Sequence, residues 1–107
     1  MKTYCIVLSN PLEGKEKEYN EWYSNVHLKE VVQIPGFISA QRFRLTQEQQ
    51  LDIQPYKYMA IYEIENENIG TAIRNLNESA GKLTMEPVID LDHLQISFFR
   101  SITEVVK

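Results

Sequence analysis

Between residues 56 and 65 the chain reads as a β-strand with apolar side chains on both faces: Tyr58, Ala60, Tyr62 and Ile64 on one, Met59 and Ile61 on the other. Side chains alternate along a strand, so such a segment needs cover above and below and belongs in the middle of a sheet. The rest of the chain must then supply flanking strands and a helical layer, and something must lie against the second face.

The remaining periodicities supply these parts in a definite order. Residues 3–8 are short, rich in β-formers and stopped by Asn10-Pro11. Tyr19, Trp22, Tyr23 and Val26 then recur at three- and four-residue spacing, the mark of one buried helix face, with Glu16, Lys17, Glu18 and Glu21 on the wet side. Asn10, Pro11 and Glu13 have the pattern of a capped start, which Gly14 would delay; the helix is expected to end near His27. Residues 28–33 add a short turn before Pro35-Gly36 stops it. Residues 37–46 alternate as a strand, with Phe37, Ser39, Gln41, Phe43 and Leu45 on one side and Ile38, Ala40, Arg42 and Arg44 on the other. Residues 47–55 are a polar hairpin connection.

After the central strand, Asn66 or Asn68 can cap a second helix with the stripe Ile69, Ala72, Ile73, Leu76 and Ala80, which Gly81 would terminate. Residues 82–92 read as a connection. Residues 93–103 read as the last strand, with Leu94, Ile96 and Phe98 opposite Gln95, Ser97 and Phe99. The order βαββαβ predicts an α+β, ferredoxin-like protomer: a four-stranded antiparallel sheet with both helices on one face. The helix-free face keeps apolar residues, a patch larger than monomers usually expose. A second copy packed sheet to sheet would bury it, so a homodimer is expected.

At 107 residues the chain suits a single domain, residues 1–107, too short to pair a substrate domain with a cofactor domain. A net charge of -4 and scattered basic residues argue against nucleic acid. One cysteine, Cys5, excludes an intrachain disulfide framework and a cysteine-rich metal site. The apolar run 4–8 is too short for a signal peptide, and nothing approaches the ~20 apolar residues of a membrane span. A cytoplasmic location follows as the expectation, with no membrane partner.

His27 is the first candidate for chemistry. Its imidazole titrates near neutral pH when unperturbed, and Tyr19, Tyr23 and His27 follow one another in steps of four on one helix side. At a helix C-terminus the macrodipole would favour its charged form and burial would oppose it. The structural alternative is a histidine that caps a terminal carbonyl. Trp22 and Tyr23 suit the core as well as a ligand contact. Tyr58 and Tyr62 share a strand face, which meets either the helices, where a hydroxyl could orient a substrate carbonyl, or a second protomer. Arg42 could bind a carboxylate if turned inward, although Arg42 and Arg44 more commonly face solvent or a dimer edge. His93 follows Asp90-Leu91-Asp92 but lacks paired metal-ligand spacing, so no metal is expected there; Cys5 reads as a small buried side chain.

The run Glu21-Trp22-Tyr23, His27-Leu28, Ile34-Pro35-Gly36-Phe37 and Ala40-Gln41-Arg42-Phe43 resembles the EthD-like branch of the dimeric α+β barrel superfamily, with Lys29 where such proteins more often carry proline. The resemblance implies two ferredoxin-like protomers closing into a barrel, each with a small cavity between sheet and helices that His27 lines. It implies a small-molecule enzyme whose ligand is small and apolar or aromatic. The expected function is proton transfer of an isomerase, cyclase or lyase kind without a cofactor, using His27 as the base and Trp22, Tyr23, Tyr58, Tyr62 and Arg42 as binding residues. The alternatives are a non-catalytic binding or structural dimer and a monooxygenase of the same superfamily using haem or a quinol-like substrate.

Overall fold

A computed structural model describes residues 1–65 and 68–107 of the chain. The elements run β1 (Thr3–Ser9), α1 (Glu16–Trp22), a π-helical turn (Tyr23–His27), α2 (Leu28–Val31), β2 (Phe37–Arg44), β3 (Tyr58–Ile64), α3 (Ile69–Ser79), a 3₁₀ turn (Ala80–Lys82) and β4 (Gln95–Arg100). The strands form one antiparallel sheet in the order β2-β3-β1-β4. β1 and β3 are therefore central, as the two-faced apolar pattern of β3 requires. Tyr58, Ala60, Tyr62 and Ile64 turn toward the helices, with Thr3, Cys5, Val7 and Ser9 of β1 in register beside them and all eight buried. Met59 and Ile61 share the other face with Ile6 and Leu8, and that face carries no helix of this chain.

Several local expectations give way to identifiable physics. The alternation in β2 puts Phe37 opposite Ala40 and Arg42, yet Phe37 is buried on the same side as they are. A bulge at Phe37/Ser39, where Phe37 pairs with Ile64 and Ser39 with Glu63, absorbs Ile38 and switches the faces. The first helix does not stop at His27 but continues through α2, so the imidazole sits inside the rod, away from its end. Asn10 caps nothing: its amide donates to the Pro55 carbonyl and its side-chain oxygen accepts from the Lys57 N–H, tying β1 to the start of β3. The helix starts later, after Gly14 has turned the chain at φ +77°. Asn68 flanks α3 without a side-chain cap, and Asn66 lies outside the described residues. Gly81 falls inside the 3₁₀ turn without a left-handed φ, so the helix tightens to its end instead of closing on a glycine cap.

The segment read as a plain connection is part of the core. Val88 and Ile89 are buried, Pro11 bridges Ile89, and the Leu12 N–H donates to the Val88 carbonyl at 2.8 Å. Leu83 and Leu94 pack against the same cluster. Gly36, at φ +97°, lets the turn into β2 pass close to α3, where a Cβ would lie 3.3 Å from that of Ala72. No helix among the described residues is long and apolar enough to cross a membrane.

Candidate active site

The π-helical turn decides where His27 points. In an α-helix, residues five apart lie about 140° from each other around the axis. Here the Leu28 N–H reaches back five residues to the Tyr23 carbonyl, and the wider turn brings His27 round onto Trp22. The two rings stack with centroids 4.6 Å apart and 25° between planes, while Tyr23 meets the imidazole edge-on at 5.0 Å. The Nδ1 atom of His27 is shut off from solvent and has no hydrogen-bond partner among the described residues. Burial holds the imidazole below its ordinary pKa, with the nearby Glu30 carboxylate opposing the shift.

His27 opens onto an apolar pocket of about 110 Å³ between the sheet and the helical layer. Trp22, Tyr23 and Val31 wall it from the helix; Cys5 and Val7 of β1, Tyr62 of β3 and Phe37 of β2 form its floor. Leu76 of α3 and the stretch from Met85 to Ile96 close the remaining side. The phenols of Tyr23 and Tyr62 both line the pocket, and each influences the other's ionisation. Burial pushes the Tyr23 phenol up to about 12, while the Tyr62 hydroxyl nearby and the charge of Arg42 pull the other way. Tyr62 is pushed up further by burial and by Tyr23 beside it. Both hydroxyls stay protonated at neutral pH, available as donors. Burial also raises the Cys5 thiol to about 11, leaving it no thiolate character.

The wall nearest solvent is fastened to the helix that carries His27. Trp22 Nε1 donates to the Thr84 carbonyl at 2.7 Å, and the Thr84 N–H and hydroxyl both donate to the Glu30 carboxylate at 2.8 Å. Farther along, Asp90 bonds the His93 ring at 2.9 Å and the Asp92 N–H at 3.1 Å, and its own N–H donates to the Asn10 carbonyl. His93 therefore braces the turn before β4 and does not open the strand. Among the described residues no three His, Cys, Asp or Glu side chains gather as a metal site.

Of the residues picked from sequence, His27, Trp22, Tyr23 and Tyr62 meet at this pocket; Tyr58 and Arg42 do not. Tyr58 is buried behind Tyr19, its hydroxyl donating to Glu16 at 2.5 Å and accepting from Asn20 and Arg44. Arg42 does turn toward the helices, contrary to the usual exposure of arginine. Its guanidinium donates to Ser24 Oγ at 2.7 Å and Asn20 Oδ1 at 3.0 Å, and lies 4.6 Å over the Tyr23 ring. Phe37, Met85, Leu91, Leu94 and Ile96 are pocket residues that sequence reasoning did not select. The run of apolar residues at 85, 88, 89 and 91 inside a presumed connection was the available signal. A wider, open groove of about 510 Å³ beside the β2–β3 hairpin, lined by Gln49, Tyr56 and Met59 among others, contains no imidazole.

No protein-family model and no curated protein sequence matches the chain. Solved structures do. An EthD family protein from Bacillus halodurans superposes with a TM-score of 0.56 at 15% identity, over 95% of this chain and all 100% of its own. A candidate monooxygenase from Shewanella loihica PV-4 gives 0.61 at 16% identity, covering 97% and 99% of the two chains. HapK from Hahella chejuensis gives 0.54 at 10% identity, covering 98% of each. With its βαββαβ order, its β2-β3-β1-β4 sheet and these neighbours, the chain shares the α+β, ferredoxin-like fold of an EthD family protein.

Proposed function

We propose that this protein is a small-molecule enzyme in which His27 moves a proton on an apolar substrate held between sheet and helices. Two observations on His27 carry the reading: its ring lines the pocket, and its Nδ1 is buried without a hydrogen-bond partner among the described residues, on an imidazole whose pKa burial lowers. Buried polar atoms are nearly always satisfied, and a bound ligand would satisfy this one. A neutral imidazole there accepts a proton, from a carbon next to a carbonyl or from an enol or phenol hydroxyl. The Tyr23 O–H, which stays protonated, donates to the substrate oxygen on which negative charge develops. Returning the proton to a different carbon completes an isomerisation; attack by the resulting carbanion on a second carbonyl of the same molecule opens that C=O π bond, and the alkoxide takes the proton back from His27 to complete a cyclisation.

The chain works as a homodimer on this reading, with a second copy covering Ile6, Leu8, Phe43, Met59, Ile61 and Phe99 on the helix-free face. A monomeric mass at micromolar concentration would contradict that part. Oxygenation is a second reading, favoured by the Shewanella neighbour. It begins with the same deprotonation and requires dioxygen as co-substrate.

The test is exchange of α-hydrogens of a neutral aryl ketone such as propiophenone for deuterium, followed by NMR in heavy water. Loss of a general base costs on the order of 10²-fold or more. His27→Ala should slow protein-dependent exchange by at least that factor and Tyr23→Phe by less. Equal exchange by wild type and His27→Ala would end the proposal.

A further inference from the structure

The same pocket carries enough detail to define the class of molecule it takes. Its lining holds no Asp, Glu, Lys or Arg, and its one imidazole is pushed toward the neutral form by burial. A carboxylate or phosphate entering here would lose its hydration with no cation to replace it. An apolar cavity of about 150 Å³ holds one benzene molecule. The space here, about 110 Å³ and open on one side, is smaller than that, so it takes at most one ring.

The open side of the pocket is apolar as well. Met85, Leu91 and Ile96 line it while remaining 49%, 63% and 49% exposed. Isolated exposed apolar residues are ordinary, but these three border one opening and continue the interior surface outward. The rim is held in place without a ligand: Thr84, next to Met85, is bonded to Trp22 and Glu30, and Leu91 stands within the turn braced by Asp90 and His93.

We propose that the pocket binds an uncharged phenol or enol bearing an apolar tail. The ring fills the enclosed part with its oxygen at His27 and Tyr23, and the tail leaves over Met85, Leu91 and Ile96. The head-group assignment rests on the placement of His27 proposed above; the tail assignment rests on the rim alone.

Trp22, the chain's one tryptophan, stacks on His27 at the pocket wall and reports occupancy by its fluorescence. Titration with para-alkylphenols from methyl to pentyl should give saturable changes. Affinity should rise roughly threefold to fourfold per methylene, as burial of a CH₂ predicts. Para-propylbenzoate should bind at least ~10-fold more weakly than para-propylphenol, because its charge meets no partner. Leu91→Glu and, as an independent variant, Met85→Glu should cut the gain per methylene below about twofold.

Equal or tighter benzoate binding, an affinity flat with chain length, or rim variants that keep the full gain would overturn the proposal. So would rim variants that change only self-association in sedimentation, since the rim would then be an interface between copies. Absent proton exchange with this binding pattern intact would remove the catalytic reading and leave the ligand class standing. Exchange with the opposite pattern would do the reverse.

Discussion

Arg42 offers a clean quantitative test of how the site is built. It is a half-buried cation that makes no ion pair among the described residues, and its guanidinium lies 4.6 Å over Tyr23 and 5.2 Å over both Tyr19 and Tyr58. A cation against a ring contributes about 0.5–1 kcal/mol at exposed sites and about 2 when desolvated. One cation shared by three rings does not count three times, and half burial sets the value near ~1 kcal/mol. The bonds to Ser24 and Asn20 are open to water, which replaces most of them, so both together add about 1 kcal/mol. Arg42→Met, which keeps the stem but removes charge and donors, should therefore cost about 2 kcal/mol. Arg42→Lys, retaining charge without the planar fork, should lose about half of that. Urea unfolding at fixed protein concentration reads this as a shift in midpoint at constant slope. Repeating it at high salt separates local contact from general attraction to a chain of net charge -4, because only the latter is screened. A loss under ~0.5 kcal/mol, or one that vanishes in salt, would refute the account of Arg42 as a guanidinium held by rings. The same variant should push the Tyr23 phenol above its wild-type position, since the Arg42 charge is among the influences that lower it.

Two further outcomes are expected. The His27 pKa is lower folded than unfolded, so the unfolded chain binds the extra proton first on acidification. Stability from this group is complete above the ordinary imidazole value and is lost as pH falls from there through the lowered one; His27→Phe should flatten that limb of a urea-midpoint profile, and an unchanged limb would count against the burial assigned to His27. Gly36→Ala should cost about 1–2 kcal/mol from its left-handed φ, plus a smaller amount from the 3.3 Å approach to Ala72. In an Ala72→Gly background the cost of Gly36→Ala should fall only by the smaller part in thermal unfolding, and its disappearance there would show that contact, not φ, sets the cost.

How far the sequence could be read differs by element. The strand order was legible because the two-faced pattern of β3 permits only a central position, and β1 and the helix stripes fit around it. The faces of β2 were not, because a bulge at Phe37/Ser39 is a single inserted residue whose local sequence looks like ordinary alternation. His27, Trp22 and Tyr23 could be placed on one aromatic helix face from spacing alone. The π turn that stacks His27 on Trp22 could not, since a strict 3.6-residue period assumes the hydrogen-bond pattern that this turn breaks. Arg42 and Tyr58 illustrate a different limit: residue type suggested ligand binding, but their distance from the pocket depends on which end of the sheet the hollow occupies. The rim residues Met85 and Leu91 went unread because an apolar segment without helix or strand period has no periodic signature.

The account stands or falls on the state of one imidazole. With two histidines in the chain, ¹H–¹⁵N NMR titration resolves both rings, and His27→Gln assigns them. His27 should titrate below the ordinary imidazole value, and its Nδ1 resonance alone should shift when para-propylphenol saturates the pocket. An ordinary or raised His27 pKa, together with an Nδ1 signal indifferent to the phenol, would contradict the claim that this nitrogen waits for a substrate proton.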